Sequence, residues 1–388
     1  MQPGKHGITR PPTSPTRLDG ISHARQTLLS DHASDAANLV QPWIARSWQR
    51  CLALGHQPRQ RVTFDAVSTP VTRRVRDGNL ALTQAAHGVL RDLGRALADT
   101  RYFAVLTNAD GVVVDTSGPI DRSDRRADLI TRVGVDLSER SVGTTAIGAA
   151  LTDLQPVWLH RGEHFFDDNA VYSCAGAPLF GPAGHCVGML DLTGVDVPER
   201  PELLHLAVQS ARAIENALTR HCPHSVMLRL NWPGHPLGGD TDALVGLDID
   251  GRVTAFNRAA RDMVPRLHGL AGPDGAVPHA DDLFALPFTL LFDAARRDGK
   301  PIDVPLWSGL RLHALALPSH PGGGDGVAVS ALHRAPAAGG AGQRRLRDIE
   351  SDLIRKAVED ARGNVSQAAA RLGVSRATVY RKLGLRKA

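Results

Sequence analysis

The sequence predicts a multidomain α+β protein with an all-α C-terminal domain. Its 388 residues are enough for two to three domains. Short apolar runs of strand length, separated by turn residues, recur between residues 100 and 332 and predict two antiparallel sheets. Beyond Arg344 the apolar spacing becomes that of short helices, and the charge becomes strongly positive. The chain therefore combines two sheet-containing regions with a separate helical one.

Charge and composition exclude several classes of protein. Residues Arg344 to Ala388 contain 12 Lys or Arg and 5 Asp or Glu, a net charge of +7, whereas the whole chain carries +5. Four cysteines without a CxxC pair favour neither a disulfide framework nor a zinc site. Residues 1–15 lack the apolar segment of a secretory signal, and no stretch reaches the roughly 18 apolar residues of a membrane span. We expect a cytoplasmic protein with no cofactor, no metal and no membrane partner.

The first part of the chain is predicted to be disordered and then helical. Residues 1–38 are rich in Pro, Ser, Thr and Gly and show little periodicity, which is typical of a disordered segment. Residues 39–99 are predicted to be helical, with helices at Gln41–Leu54 and Thr72–Asp99. The second of these helices has apolar residues at helical spacing.

Residues 100–221 are predicted to form an α+β domain with an antiparallel sheet. Its closing helix, Pro201–Arg220, has an apolar seam with alternating spacings of three and four, which is compatible with a helix–helix contact in a dimer or with packing on its own sheet. The seam residues are Leu204, Ala207, Ala211, Ile214 and Leu218. The other predicted elements are strands at Tyr102–Thr107, Val112–Asp115, Pro156–His160, Cys174–Phe180 and Cys186–Asp191, and a helix at Thr144–Leu151.

A second, smaller α+β domain is predicted at residues 240–332. A turn-rich connector at 222–239 precedes it, and an Ala-, Gly- and Pro-rich linker at 333–345 follows it. The predicted elements are strands at Leu244–Asp248, Val253–Phe256, Ile302–Pro305, Leu310–Leu317 and Val327–Leu332, and a helix at Asn257–Met263.

Residues 346–388 are predicted to form three helices in the layout of a helix-turn-helix. Gly363 ends the first helix, Asn364 caps the second, and Gly373 turns the chain before the third, which Ser375 caps. The alternative is a solvated basic face on an ordinary helical hairpin. Caps, turn and inward apolar residues all agree with a DNA-reading motif, so the sequence favours that interpretation.

Outward side chains of the third helix are candidates for DNA contact. Arg can bond guanine bidentately, Thr can touch a thymine methyl group, and the N-terminal part of a recognition helix usually meets the bases. The candidate base contacts are Ser375, Arg376, Thr378 and Arg381. The candidate phosphate contacts, which set affinity rather than sequence preference, are Lys382, Arg371, Arg386 and Lys387.

Five short motifs in this segment carry a family resemblance. They are Gly363-Asn364, Ala368-Ala369, Leu372-Gly373, Arg376-Ala377-Thr378 and Tyr380-Arg381-Lys382-Leu383. With this pattern the segment resembles the C-terminal DNA-binding domain of Fis-type regulators. Such domains work as dimers, so the resemblance implies a homodimer on double-stranded DNA with a roughly palindromic site.

Motifs between residues 40 and 220 carry a second resemblance. They are Ser47-Trp48-Gln49-Arg50-Cys51, Gly143-Thr144-Thr145-Ala146-Ile147-Gly148, Gly162-Glu163-His164-Phe165, Cys174-Ala175-Gly176-Ala177-Pro178 and Gly188-Met189-Leu190-Asp191-Leu192-Thr193-Gly194. This region is similar to the sensor half of bacterial sigma-54 activators of the acetoin-catabolism regulator type, which implies a GAF sensor domain. Thr145 departs from that family, which usually carries Asn there. Residues 240–332 resemble a PAS domain more faintly.

The sensor resemblance implies a small-molecule pocket. The candidate ligand-binding residues are Thr145, Glu163, His164 and Cys174. Glu163 and His164 could be pocket groups, a metal pair or surface residues, and the sequence favours a structural role because no further metal ligand is nearby. For Cys174 and Cys186 it favours buried, inert thiols over redox centres.

One expected part of such an activator is missing from the sequence. The phosphate-binding loop of an ATPase needs GxxxxGK[ST], which does not occur. The sequence therefore predicts a sequence-specific DNA-binding transcription regulator, not an enzyme, that senses a small molecule and acts without its own ATPase. Its predicted partners are double-stranded DNA, an unidentified effector, a second copy of the chain, and a full-length activator or RNA polymerase. The alternatives are a nucleoid-type architectural DNA-binding protein and a GAF-type redox enzyme.

Overall fold

The computed structural model describes residues 17–29, 40–64, 66–271, 277–297 and 299–319. Both sheets lie in one compact unit, which spans Met1–Gly322. The predicted linker, the predicted helix-turn-helix and the predicted strand at Val327–Leu332 lie outside the described residues.

A helix lies within the N-terminal segment that was predicted to be disordered. Helix α1, Arg17–Leu29, contradicts that prediction for residues 17–29, and the rest of the predicted segment 1–38 lies outside the described residues. Among the α1 side chains that the structure describes, Ile21 and Ala24 are the buried apolar ones. Contacts of Arg17 and Arg25 with a distant loop supply much of what holds the helix, and sequence periodicity does not report such contacts.

Three helices follow between residues 40 and 99. They are α2 (Pro42–Ala53), α3 (Thr69–Gly78) and α4 (Leu80–Ala96). The single helix predicted at Thr72–Asp99 is in fact two helices, because Asn79 leaves the helical conformation with φ −121° and ψ 22°. Pro42 stands in the first turn of α2, where a missing N–H costs nothing.

The first sheet is antiparallel throughout, in the order β2-β1-β5-β4-β3. Its strands confirm the predicted ones, with longer ends on β4 and β5. They are β1 (Tyr102–Asn108), β2 (Val113–Ser117), β3 (Val157–His160), β4 (Tyr172–Phe180) and β5 (Cys186–Val195). The helices that follow β2 are α5 (Arg125–Ile130), α6 (Glu139–Val142) and α7 (Ala146–Asp153), and the helix that follows β5 is α8 (Glu202–His221).

The two faces of this sheet bury different sets of helices. One face packs against α4 and α8, and the other packs against α5, α6 and α7. Most of the apolar seam of α8, including Ala207, Ile214 and Leu218, is buried in the first of these cores. Of the two uses predicted for the seam, packing on its own sheet is therefore the one that the structure contains.

The second sheet has the order β8-β7-β6-β10-β9 and is also antiparallel. Its middle strand, β6 (Val226–Asn231), lies within residues 222–239, so the prediction of a plain connector there was wrong for these residues. Turn residues around β6 concealed its short apolar run. The other strands are β7 (Ala243–Leu247), β8 (Val253–Phe256), β9 (Ile302–Pro305) and β10 (Arg311–Pro318). The helices are α9 (Arg258–Met263), α10 (Ala280–Leu283) and α11 (Phe288–Ala295).

Candidate functional site

Polar side chains gather on the inner face of the first sheet, which is the face toward α5, α6 and α7. Cys174 on β4 lies opposite Thr193 on β5, and Asp191 on β5 lies opposite Gly176 on β4. Side chains alternate between faces along a strand. Neighbours such as Leu190 therefore point into the other, fully apolar core.

These side chains form a buried polar chain. His164 Nε2 lies 3.6 Å from Cys174 Sγ, and Thr193 Oγ1 lies 3.5 Å from the same sulfur. The Thr193 hydroxyl donates to Asp191 Oδ2. The other carboxylate oxygen, Asp191 Oδ1, is buried and has no hydrogen-bond partner among the described residues. One carboxylate oxygen is thus left available to a donor inside the fold.

Burial shifts the pKa of each titratable group in this chain toward its uncharged form. It raises the pKa of Asp191 from 3.8 to about 7 and lowers the pKa of His164 from 6.5 to about 4. Burial also raises the pKa of the Cys174 thiol well above its usual value, and the nearby Asp191 adds to that shift. The imidazole and thiol are therefore neutral, and the thiol is a poor nucleophile.

A small cavity of about 30 Å³ lies beside this chain. That volume holds roughly one water molecule. Its lining contains no Lys or Arg, so nothing in it favours an anion. The polar lining residues are Thr145, His164, Asn169, Tyr172, Cys174, Asp191 and Thr193, and the apolar ones are Phe64, Val105, Ile130, Leu137, Val142 and Ile147.

Three of the four predicted ligand-binding residues meet at this cavity, and the fourth does not. Thr145, His164 and Cys174 line it. The Glu163 carboxylate instead accepts from the backbone N–H of His160 at 2.7 Å and from Arg17 at 2.7 Å and 2.8 Å. This carboxylate therefore bonds to His160 and Arg17 and does not line the cavity.

Sequence reasoning missed Asp191 and Thr193 as site residues. Both belong to β5, in which apolar and polar residues alternate from Leu190 to Thr193. A carboxylate in a mostly apolar strand was the available signal, because such a group is buried on one face and must meet other polar atoms.

Residues 161–169, here called the wall segment, close one side of the cavity. They contain two short 3-10 helices, Arg161–Glu163 and Asp167–Asn169. The segment places the imidazole of His164, whose Nδ1 lies 2.9 Å from the backbone oxygen of Arg161. Arg161 has a φ of 50°, a left-handed conformation that is strained for a side chain of this kind.

Helix α2 braces the wall segment and the start of α7. Trp48 donates from Nε1 to the backbone oxygen of Glu163 at 2.9 Å. Ser47 donates to Glu139 at 2.6 Å and lies 2.7 Å from the Thr144 hydroxyl, next to the N-terminus of α7. Arg50 contacts the same Glu139 carboxylate at 2.6 Å and 2.8 Å. The Ser47–Cys51 motif is therefore a structural brace.

The inner strand β4 also leads to the second sheet. At its end, the backbone N–H of Phe180 donates to the buried Glu215 carboxylate of α8 at 2.8 Å. The guanidinium groups of Arg258 and Arg261 on α9 lie 5.0 Å and 4.9 Å from the centre of the Phe180 ring. A strand that lines the cavity thus ends in contact with a helix of the second sheet.

Other kinds of site are not evident among the described residues. No group of three His, Cys, Asp or Glu side chains in the described ranges could hold a metal ion. No helix in that part of the chain combines the length and apolar character that spanning a bilayer requires. The eight candidate DNA contacts, from Arg371 to Lys387, lie outside the described residues and stay predictions.

Two family models match the chain. One, described as "MimR, N-terminal domain", matches residues 16–216. The other, described as "Bacterial regulatory protein, Fis family", matches residues 345–384. The second match includes all four predicted base contacts and two of the four predicted phosphate contacts, Arg371 and Lys382.

Curated relatives with similar sequences are named as transcriptional regulators. An acetoin catabolism regulatory protein of Cupriavidus necator is 31% identical over 66% of this chain and 38% of its own length. The propane 2-monooxygenase operon transcriptional activator MimR of Mycolicibacterium goodii is 32% identical over 50% of this chain and 32% of its own length. The chain thus matches less than two fifths of either relative. Among solved structures, the E. coli DhaR(N)–DhaL complex matches with a TM-score of 0.43 and 17% identity, covering 72% of this chain and 100% of that one.

Proposed function

We propose a function from the premise that the chain belongs to the family described as MimR, N-terminal domain, which matches residues 16–216. In this proposal the protein is a transcription regulator that binds specific DNA and senses a small molecule. The curated relatives are named regulators, which supports a regulatory rather than an enzymatic role.

A single observation supports the DNA-binding part of the proposed function. The Fis-family match at residues 345–384 falls on the segment in which basic residues are concentrated. A basic recognition helix supplies base contacts through residues such as Arg376 and phosphate contacts through residues such as Lys382. We propose that two copies of this segment read a roughly palindromic site.

Sensing is assigned to the cavity of the first sheet, in a GAF-like domain, with a PAS-like domain formed by the second sheet. The His164 imidazole and the Cys174 thiol of the lining are uncharged at neutral pH, and the lining carries several hydrogen-bonding groups around Asp191 and His164. These properties suit a small, uncharged effector. The buried, protonated thiol of Cys174 argues against the alternative of a redox enzyme.

The mechanism proposed for regulation needs no ATPase of its own. The sequence has no GxxxxGK[ST] motif. We therefore propose that the protein acts by occupying or bending DNA, or through a full-length activator or RNA polymerase. The path from β4 through Phe180 to α9 supports communication between the two sheets.

The test is selection of DNA by the full chain from a random duplex pool at cell-like ionic strength. We expect enrichment of one roughly palindromic sequence, bound at least about a thousandfold more tightly than bulk competitor. Tight binding without enrichment would instead support the architectural alternative. Failure to bind duplex DNA at all would refute the proposed function.

A further inference from the structure

We propose that Arg17 and Arg25 of α1 are positioning residues that hold the wall segment against the cavity and so control access to it. This rests on the proposed function only in treating the cavity as the effector site. The cavity, about 30 Å³, is too small for a molecule much larger than water. Entry of such a molecule therefore requires movement of a boundary. The wall segment is a boundary that α1 holds from outside, in addition to the bond from Trp48 of α2.

Arg25 grips the backbone of the wall segment from outside. Its Nη1 donates to the carbonyl oxygens of Gly162 at 3.0 Å and His164 at 2.5 Å. Its Nη2 donates to the carbonyl oxygen of Phe165 at 3.0 Å and to Asp167 Oδ1 at 2.5 Å. One planar guanidinium thus joins four successive parts of the segment, an arrangement that a lysine ammonium cannot reproduce. The carbonyl oxygen of His164 accepts from Arg25, and the ring of the same residue lines the cavity. The contacts of Arg25 therefore help to fix the cavity lining.

Arg17 secures the other end of the same segment. It donates to both oxygens of Glu163, pairs with Glu199 at 2.8 Å, and lies 3.8 Å from the centre of the Trp158 ring. The Glu163 side chain is only 4% exposed. Loss of Arg17 would leave a buried carboxylate without its cation, which favours an open wall that lets water reach it.

Helix α1 is held by these polar contacts and by a small apolar contact. Among its described side chains, Ile21 and Ala24 are buried, while Leu18 is 47% exposed. Ile21 rests on Gly162, where an added Cβ would lie 3.2 Å from the isoleucine side chain. A helix with so little apolar burial releases at a lower cost than unfolding of the sheet behind it. Release of α1 then removes six hydrogen bonds from the wall segment in one step, four from Arg25 and two from Arg17.

Opening of the wall segment would expose the thiol of Cys174. Cys174 is buried in the closed protein and lies beside His164 of the wall segment. Its reaction with N-ethylmaleimide therefore reports how often the wall opens, without knowledge of the effector. Cys222, which is half-buried after α8, serves as a reference thiol on the same chain.

The experiment compares alkylation rates of Cys174 and Cys222 in the full chain by peptide mass spectrometry. We expect Arg25→Ala and Arg17→Ala each to accelerate alkylation of Cys174 by about tenfold or more, relative to Cys222, because each removes several hydrogen bonds. Arg25→Lys should rescue only a small part of the effect. Arg46→Ala is the matched control, since Arg46 forms a 3.1 Å ion pair with Asp153 away from the wall segment.

Three outcomes would overturn the proposal. The Cys174 rate could stay unchanged while hydrogen exchange shows α1 released, the rates of both cysteines could rise equally, or Arg25→Lys could restore full protection. None of these results depends on DNA binding. Conversely, a chain that failed to select any DNA sequence would refute the proposed function and leave the thiol result intact.

Discussion

Asn257, which caps α9 in the second sheet, donates a 2.7 Å hydrogen bond from Nδ2 to Oδ1 of Asn216 on α8. Its second amide hydrogen bonds the carbonyl oxygen of Asp242 at 2.9 Å. Its oxygen accepts from the backbone N–H groups of Leu244 and Ala260, both at 2.9 Å. Every bonding position of this buried amide is used. One side chain thus ties the helix that closes the first sheet to a strand and a helix of the second.

The variant Asn257→Ala should loosen this joint. It leaves the N–H of Leu244 and the Asn216 oxygen buried without partners, so we expect a loss of about 2 to 5 kcal/mol in the free energy of unfolding. Hydrogen exchange should quicken at Leu244 and Ala260. The control Asn79→Ala removes one half-buried hydrogen bond, from Asn79 Nδ2 to the carbonyl oxygen of Val75 in α3, and should cost less. An equal loss of unfolding free energy in the two variants would show that the Asn257 hydrogen bonds contribute no more than a single amide bond.

The buried carboxylate of Asp191 should make stability depend on pH. Its pKa is about 7 in the folded protein against 3.8 normally, so the folded state holds an extra proton between these values. Stability from this group is therefore present at low pH and falls as pH rises from 4 to 7 and beyond. Between pH 5 and pH 8 the loss amounts to about 2 to 3 kcal/mol.

The variant Asp191→Asn should remove that loss. We expect its stability relative to the parent protein in urea unfolding to be higher at pH 8 than at pH 5, by about 2 to 3 kcal/mol. His164, whose lowered pKa makes stability rise with pH, and Glu215, whose raised pKa acts as Asp191 does, are present in both proteins and cancel in the difference. A stability difference that is the same at both pH values would contradict the assignment.

The hydroxyl of Thr145 caps α7 and lines the cavity. It accepts from the backbone N–H of Gly148 at 3.2 Å. Thr145→Ala should cost about 1 kcal/mol in urea unfolding, whereas Thr145→Asn should retain stability because Asn is an equally good cap. Thr152→Ala is the control in the same helix, since its hydroxyl bonds only a carbonyl oxygen within α7. If Thr145→Asn lost as much stability as Thr145→Ala, loss of the helix cap would not explain the destabilisation.

Two substitutions separate base contacts from phosphate contacts in the proposed DNA-reading helix. Arg376→Ala should cost about 1 to 3 kcal/mol on the preferred site and flatten base preference. Lys382→Ala should weaken binding to all duplexes alike and lower the salt slope by about one. Titrations on specific and random DNA at several salt concentrations measure both effects. Equal losses for both variants on both kinds of DNA would mean that the roles are wrongly assigned.

Local patterns predicted the sheets well. Each strand of the first sheet, and β8 and β9 of the second, lies where alternating or continuous apolar residues end in turn residues. The cavity residues Thr145, His164 and Cys174 were found because they belong to recognisable motifs. These features depend on residues that are close in sequence, so sequence patterns report them directly.

Long-range contacts explain what sequence reasoning missed. Helix α1 is held by a segment more than a hundred residues away, as in the contact of Arg25 with Gly162, and has little periodicity of its own. The sequence alone marks Asp191 only as a strand residue. The pairing of β5 with β4 places Thr193, two residues along the same strand, beside Cys174. Glu163 was expected in the pocket, yet its carboxylate turns toward Arg17.

The position of β6 limits how this chain can be divided. It follows α8 after only a short link and sits in the middle of the second sheet. A fragment that begins after residue 239 would lack that strand and would leave β7 and β10 with unpaired edges. Such a piece should aggregate. A recombination event that transfers the whole second sheet from one related gene to another would need its crossover point before residue 226.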